Sequence, residues 1–215
     1  METVINMTKM EQYDRIDMVK ADGTPIKQVF IGARWDMTRF AKKAASDMDI
    51  HAMGGSGGHT VQFPQNIVNY MTWRNYGASA YPWCKFSGDN QDGDDSKGGI
   101  DFAGTHYDEY FVIDYDKFPA ELSELTICLS IYQAIARKQN FGLISNAHLD
   151  IYDYEDPTRA WTYSLTENPD FESLNAVEIG RLFRGQNGFR FEAIGDGYTG
   201  GMTELYASFG LKIKE

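Results

Sequence analysis

Residues 110–132 read YFVIDYDKFPAELSELTICLSIY, and this stretch decides the fold class. The side-chain pattern of residues 110–115 alternates from one residue to the next, as expected for a strand. Residues 125–132 form a second run, rich in β-branched and apolar side chains. Turn-forming residues, including Pro119, separate the two runs. Short runs of this kind, divided by turn residues, are typical of β-strands.

The same texture continues outward from this stretch in both directions. Further strand candidates lie at residues 27–31, 46–53, 59–63, 69–76, 148–154, 161–165, 177–183 and 189–194. Helical patterns are short and lie at 133–138 and at 202–209, where Gly210 would end the helix. Gly185-Gln186-Asn187-Gly188 indicates a hairpin turn. We therefore predict an all-β fold, a β-sandwich of about ten short strands with one or two short helices.

The chain length and composition suit one ordinary domain. It has 215 residues, of which 42% are hydrophobic, which excludes wholesale disorder. Residues 1–25 are polar and aperiodic, so we expect an N-terminal extension or arm outside the core, followed by the sandwich domain at 26–213. No apolar run approaches the ~20 residues of a membrane helix, and the start has no apolar signal region. We expect no integral membrane segment and a cytoplasmic location.

The charge balance bears on the kind of partner. Twenty Lys and Arg residues face 31 Asp and Glu residues, which gives a net charge of −11. Such a field repels a phosphate backbone, so we expect no nucleic-acid binding. Hard cations and basic protein partners are favoured instead. Cys84 and Cys128 are interpreted as buried free thiols of a reducing compartment.

Two glycine motifs imitate catalytic or nucleotide-binding signatures. Residues 54–58 match G-x-S-x-G, but that nucleophile elbow requires a following helix, and the next residues resemble a strand. Residues 195–200 match G-x-G-x-x-G, but the dinucleotide site also needs an acidic residue on a second parallel strand. We interpret the first as a flexible turn and the second as a tight turn into the last helix. No enzyme is predicted, although a carboxylate-based hydrolase is a weaker alternative.

Acidic residues concentrate in one glycine-rich segment. Only Lys97 offsets the carboxylates of Asp89, Asp92, Asp94, Asp95, Asp101, Asp108 and Glu109. A solvated loop is one explanation. A calcium site is the other, because Ca²⁺ takes six to eight oxygen ligands from pliable loops, and Asp89-Asn90 with Asp92 resembles such a set.

Asp47 and Asp49 strengthen the calcium hypothesis. Residues i and i+2 of a strand share a face, so both carboxylates point the same way and repel each other unless a cation bridges them. A solvent-facing strand is the alternative explanation. His51 continues that face, but calcium prefers oxygen, so we do not count His51 as a ligand.

Several motifs, in order, resemble the TerD-type tellurite-resistance and stress-response family. The motifs are residues 31–36 (IGARWD), 46–49 (SDMD), 87–90 (SGDN), 137–142 (RKQNFG) with 145–147 (SNA), 163–166 (YSLT) and 189–201 (FRFEAIGDGYTGG). The order holds over most of the chain, while residues 1–25 have no counterpart. Tyr132-Gln133 stands where the family usually has an aspartate, which puts one ion site in doubt.

The resemblance implies a β-sandwich that binds calcium in one acidic patch, with one or two ions here. It implies Asp47, Asp49, Asp89 and Asn90 as ligands, and it makes Asp108 and Glu109 the acidic pair after the loop. Together with Asp92, these residues form the predicted metal site.

Two functional hypotheses follow from the resemblance and the loops. The first is a non-enzymatic calcium-binding scaffold or interaction module of stress response, which assembles with protein partners of its own or another kind. The alternative is a structural protein, such as a bacteriophage virion component, built on a TerD-like domain. The N-terminal arm and the widened loops motivate this alternative.

Overall fold

A computed structural model describes residues 5–37, 46–57, 59–61, 65–91 and 98–213. Within those ranges the chain forms fourteen strands and three short α-helices. The strands are β1 (Asn6–Lys9), β2 (Arg15–Asp17), β3 (Gln28–Met37), β4 (Met48–Gly55), β5 (Ile67–Val68), β6 (Cys84–Phe86), β7 (Ile100–Phe102), β8 (Thr105–Tyr107), β9 (Glu109–Asp114), β10 (Glu124–Ile131), β11 (Ile144–Asp153), β12 (Arg159–Ser164), β13 (Ala176–Gly185) and β14 (Gly188–Tyr198). The helices are α1 (Tyr70–Tyr76), α2 (Ala134–Arg137) and α3 (Gly201–Ser208).

Two six-stranded sheets pack face to face. The first sheet has the order β1-β12-β11-β3-β9-β6, and the second has the order β2-β14-β13-β10-β4-β5. Every pairing is antiparallel except β1 with β12. The all-β sandwich prediction is confirmed, and eight of the ten predicted strands correspond to β3, β4 and β9 to β14.

The main core lies between the sheets. Alternate side chains of β3 and β9, such as Ile31 and Phe111, meet Ile127 of β10 and Val177 of β13 there. All eight residues of β10 are buried, because β10 has the core on one face and α3 on the other. A strand covered on both faces reads as a continuous apolar run, which is why residues 125–132 signal the fold so clearly.

Small covers close the outer faces of both sheets. Helix α3 packs Leu205 and Tyr206 against Cys128 on the second sheet. The β7–β8 hairpin, which includes Tyr107, covers the first sheet beside Phe30. Gly32 permits this approach, because a Cβ there would lie 2.4 Å from the Tyr107 ring. These covers leave the strand ends of the sandwich to carry the polar clusters described below.

The predicted strand at residues 69–76 is wrong, because this segment forms helix α1. The Asn69 side chain accepts a hydrogen bond from the Thr72 N–H, and the Thr72 hydroxyl accepts one from the Asn69 N–H. This reciprocal capping satisfies two N–H groups at the start of the helix. Local capping therefore outweighs the β-propensity of the aromatic residues in the segment.

The expected arm outside the core is wrong for residues 5–25, the described part of that segment. Strand β1 pairs with β12 at the edge of the first sheet, and β2 pairs with β14 at the edge of the second. Met10 and Met18 are 3% and 0% exposed and belong to the main core. These two methionines anchor the segment, since unbranched thioether side chains fill core gaps.

Three further expectations meet mixed outcomes. Of the predicted strand at 59–63, Val61 forms only an isolated bridge with Gly55, and residues 62–64 lie outside the described part. The predicted turn at 195–200 is instead mostly the end of β14, which contains an irregularity where Gly195 adopts φ +76°. Gly185 and Gly188 pair across the predicted hairpin turn, which is confirmed.

Two further expectations concern the cysteines and membrane-spanning helices. Cys84 and Cys128 are both buried and free, as predicted. Burial raises the pKa of both thiols well above the usual value. Among the described residues, none of the helices has the length and apolar character needed to cross a bilayer.

Candidate metal centre

Three predicted ligands converge at one end of the sandwich. One carboxylate oxygen from each of Asp47, Asp49 and Asp89 lies within 4.8 Å of the other two. Two oxygens that bind one Ca²⁺ at about 2.4 Å can be at most about 4.8 Å apart, so this spacing is compatible with a shared ion. Asp47 and Asp49 are 7% and 2% exposed, whereas Asp89 is exposed. The cluster thus has a buried side and a side open to solvent.

Strand pairing fixes the buried side of this cluster. Asp49 of β4 lies opposite Ser130 of β10. The Tyr132 N–H donates a 2.8 Å hydrogen bond to the carbonyl oxygen of Asp47 and extends the ladder by one residue. The i, i+2 arrangement predicted from the sequence is therefore held by the second sheet.

The open side belongs to the loop after β6. Asn90, the residue next to Asp89, is buried, and its backbone N–H donates to Glu109 Oε1 at 3.1 Å. Its side-chain Nδ2 donates to Asp108 Oδ1 at 3.1 Å. Asn90 therefore anchors the loop in the described structure, a different role from the ligand role that the resemblance implies.

Glu109 joins the two sides of the cluster. Its Oε2 accepts a 2.9 Å hydrogen bond from the Ile50 N–H, next to Asp49, while its Oε1 accepts from Asn90, next to Asp89. Glu109 starts β9 of the first sheet and is 0% exposed, so it bridges the sheets. Both carboxylate oxygens serve backbone donors, which makes Glu109 a support for the cluster.

Asp108 has a comparable supporting position. Its Oδ2 accepts a 3.0 Å hydrogen bond from the Trp35 N–H at the end of β3, while Oδ1 accepts from Asn90. Asp108 is 2% exposed. The predicted acidic pair, Asp108 and Glu109, lies beside the three-carboxylate cluster and fixes the backbone around it.

The concentrated negative charge is visible in neighbouring titratable groups. Burial, followed by the charge of Asp49, raises the pKa of Glu109 well above its usual value, against the effect of the two N–H donors. Burial raises the pKa of Tyr70 as well, and the charges of Asp49, Asp89 and Asp47 add to the effect. A cation in the cluster would offset these unfavourable interactions.

Tyr70 is a neighbour that the sequence interpretation missed. It begins helix α1, and its ring packs edge-on to Tyr132 with the centroids 6.3 Å apart. The two rings form an aromatic wall near the carboxylates. The Asn69 cap, which places Tyr70 in the first turn of α1, is the sequence signal for this position, and the strand prediction for residues 69–76 does not use it.

Asp92 and His51 are the remaining residues that the sequence analysis considered for this site. Asp92 lies outside the described residues, as do Asp94 and Asp95. His51 is 0% exposed, and its Nε2 hydrogen-bonds Ser130 Oγ at 2.8 Å, so its ring serves the protein interior. Burial lowers the pKa of His51 to about 3, which keeps the imidazole neutral. Within the described residues, the three-aspartate group is the cluster whose spacing could hold a metal ion.

Several known proteins are similar to this chain, and two of them are named for stress response or tellurium resistance. The uncharacterized protein YceE of Bacillus subtilis is 30% identical over 207 residues, which covers 95% of this chain and 98% of that protein. General stress protein 16U of the same organism is 27% identical, with 93% and 95% covered. Tellurium resistance protein TerD of Serratia marcescens is also 27% identical, with 86% and 88% covered. These comparisons give no support to the virion alternative.

Structural and family comparisons agree with these relatives. The crystal structure of a homologue of the telluride resistance protein TerD from Streptomyces coelicolor aligns with a TM-score of 0.59 at 14% identity, covering 87% of this chain and 99% of that one. This likeness shows the fold. The model of the TerD domain matches residues 6–209, which include strands β1 and β2. The chain therefore belongs to the TerD domain family.

Proposed function

We propose that this protein is a non-enzymatic, calcium-binding TerD-domain protein of stress response that acts as a scaffold or interaction module. The observation that carries the proposal is the convergence of Asp47, Asp49 and Asp89 within 4.8 Å at the edge of the sandwich. The names of the relatives, which refer to general stress and tellurium resistance, support the physiological setting.

The donor set favours calcium over softer metals. All three groups are carboxylates, and hard oxygen donors suit Ca²⁺, whereas zinc and copper sites draw on imidazole or thiolate. The nearest histidine along β4, His51, directs both ring nitrogens to Ser130, Asn69 and Tyr206. Asp89 is exposed, so water can complete the coordination of the ion. Three carboxylates provide for one ion, and a second would need further oxygens from the loop that contains Asp92.

A bound ion would connect two elements that the fold already brings together. Asp49 belongs to β4 of the second sheet and Asp47 immediately precedes that strand, while Asp89 belongs to the loop that follows β6 of the first sheet. Neutralisation of their charges would fix the loop against the strand, and this ordered face could then bind a protein partner. Because the ion would bind the folded state, it would also stabilise that state by mass action.

The non-enzymatic, cytoplasmic assignment belongs to the same proposal. Both glycine motifs are accounted for without catalysis, since residues 195–198 lie in β14 and residues 54 and 55 end β4. The buried free thiols of Cys84 and Cys128 are compatible with a reducing compartment. The net charge of −11 supports protein partners over nucleic acid.

Calcium titration of the metal-free protein tests the proposal. We expect heat of binding by calorimetry for the wild type, and an affinity at least about tenfold weaker, or about 1.4 kcal/mol, for Asp49→Asn. The matched control is Asp170→Asn, which neutralises an exposed aspartate in the short 3-10 turn between β12 and β13. Absence of binding to the wild type at millimolar Ca²⁺, or equal affinities for Asp49→Asn and the control, would contradict the proposal.

A further inference from the structure

A cavity of about 460 Å³ lies at the end of the sandwich away from the three-carboxylate cluster. Strand β9 connects the two places, because Glu109 at its start supports the cluster and Tyr115, just after its end, lines the cavity. The turn at residues 24–27 and the β13–β14 hairpin form the other walls. Its volume is within the range of small-molecule sites, about 300–1,000 Å³.

The apolar part of this cavity is a packed aromatic group. The Tyr115 and Phe189 rings stack with their centroids 4.0 Å apart and an interplanar angle of 11°. Phe118 packs edge-on against Phe189 at 5.4 Å. Ile26 and Pro25 continue the lining on the side of the turn. A rigid apolar surface of this kind suits a flat organic group.

Arg184 supplies a pre-positioned cation at the cavity. Its guanidinium lies 5.0 Å from the Phe189 ring centroid and 5.5 Å from that of Phe118. One nitrogen, Nη2, donates to the carbonyl oxygens of Phe118 and Pro119 at 3.0 and 3.4 Å. Within the described residues, no carboxylate lies within 4.0 Å of this guanidinium. The orientation is thus fixed while donors remain for a ligand.

The two lysines of the cavity, unlike Arg184, form ion pairs with acidic side chains. Lys20 Nζ lies 2.9 Å from Glu155, and Lys27 Nζ lies 3.8 Å from Asp116. These acidic partners also line the cavity, so its charge excess is a single positive charge. That balance suits one anionic group and disfavours a polyanion.

Tyr115 adds a polar group that the protein leaves unsatisfied. Its hydroxyl is buried and makes no hydrogen bond to any described residue. Buried hydroxyl groups in folded proteins mostly have a hydrogen-bond partner, either protein or ordered water. The ring lines the cavity, while the hydroxyl itself has almost no solvent-accessible surface, so a ligand reaches it only when the lining shifts slightly.

From these features we infer that the cavity binds a small organic oxyanion, a carboxylate or a phosphate ester carried on a flat apolar body. Arg184 pairs with the oxyanion, and a guanidinium can do so through two parallel hydrogen bonds. The apolar body packs against Pro25 and the Tyr115–Phe189 pair, and the Tyr115 hydroxyl bonds a polar atom of the ligand. This site is independent of calcium and of the scaffold role.

Titration of ¹⁵N-labelled full-length protein in EDTA tests the inference, with benzoate, phenyl phosphate, inorganic phosphate and benzyl alcohol as probes. We expect amide shifts at residues 24, 26 and 27, at 115–118 and at 184–189 with benzoate or phenyl phosphate, and whichever binds more tightly identifies the oxyanion. Inorganic phosphate and neutral benzyl alcohol should bind at least about tenfold more weakly, since each lacks one half of the recognised chemistry.

Variants separate this site from non-specific binding of anions. Arg184→Gln should weaken the better probe at least tenfold, and Tyr115→Phe should weaken it severalfold with the ring stacking kept. The control is Arg190→Gln in the neighbouring cavity, where Arg190 Nε is already 2.6 Å from Asp17. The inference is overturned if no probe shifts these amides at millimolar concentration. Equal losses for Arg184→Gln and Arg190→Gln would overturn it too.

Discussion

Two clusters of mainly buried carboxylates in this molecule differ in how their negative charge is balanced. On the second sheet, Glu192 accepts hydrogen bonds from Arg15 Nε at 2.7 Å and from Arg181 Nη2 at 2.7 Å, and Arg181 also reaches Glu124 at 3.3 Å. At the end of the sandwich, the carboxylates of Asp47, Asp49 and Asp89 face one another instead. The first group balances its charge within the chain, whereas the second is arranged around a shared point.

The titration behaviour of a glutamate in each region reflects that difference. Burial alone would raise the pKa of Glu192, but the hydrogen bonds from Arg15 and Arg181 outweigh it and hold the pKa below the usual value. Burial also raises the pKa of Glu109, and there the charge of Asp49 adds to the increase. Structural ion pairs are thus distinguished from a candidate ion site by the sign of the neighbouring charge.

The largest effect on the folding free energy is expected for Glu109→Ala. This change would leave the buried N–H groups of Ile50 and Asn90 without their acceptor, and an unsatisfied buried donor costs about 1–3 kcal/mol. We expect a loss of about 3 kcal/mol, measured by urea unfolding in EGTA. A loss below about 1 kcal/mol would mean that water replaces the carboxylate and that Glu109 does not hold the two segments together.

Glu192→Ala provides the comparison at the ion-paired region. The side chains of Arg15 and Arg181 are 59% and 36% exposed, so solvent can hydrate both cations once Glu192 is removed. We therefore expect a loss of about 1 kcal/mol in the same urea experiment at pH 7. Added salt should reduce this difference, since partly exposed pairs are screened.

The pH dependence of this Glu192 contribution follows from its lowered pKa. The folded state holds the carboxylate more strongly in its charged form than the unfolded state does, so the contribution is complete above the usual glutamate pKa of 4.5. It is lost as the pH falls from there through the lower folded-state pKa. A wild-type minus Glu192→Ala difference that grows on acidification would contradict this assignment.

Sequence patterns predicted the parts of the fold whose local signal agrees with their final environment. Residues 125–132 are mostly apolar because β10 is covered on both faces, and the i, i+2 rule correctly placed Asp47 and Asp49 together. Helix α1 was missed because a single side chain, the Asn69 cap, decides it. Residues 5–25 were misplaced because β1 and β2 are too short to show a periodicity.

The support role of Glu109 could not be predicted from the sequence. It depends on β5, which pairs with β4 only at Ala52 and Met53. The Ile50 N–H therefore has no partner from β5 on that edge of the strand. Glu109 reaches that edge from the other sheet. Such a contact between sheets depends on where a neighbouring strand stops, which no local motif records.

The smallest effect, and the sharpest contrast, is expected for Asp89→Asn. In EGTA this change removes a like charge from the cluster, and the repulsion between two unit charges about 4 Å apart is worth about 1 kcal/mol in bulk water. We expect a gain of about 0.5 kcal/mol without metal and a smaller stabilisation by Ca²⁺ than in the wild type, measured by thermal melts in each buffer. The exposed contact of Asp89 with Gln91, at 3.1 Å, is too weak to reverse the sign. The control variant Asp170→Asn should leave the melting temperature unchanged in both buffers. If Asp89→Asn instead destabilised the protein in EGTA, the Asp89 carboxylate would be a structural partner like Glu192. That result would remove the distinction between the two regions.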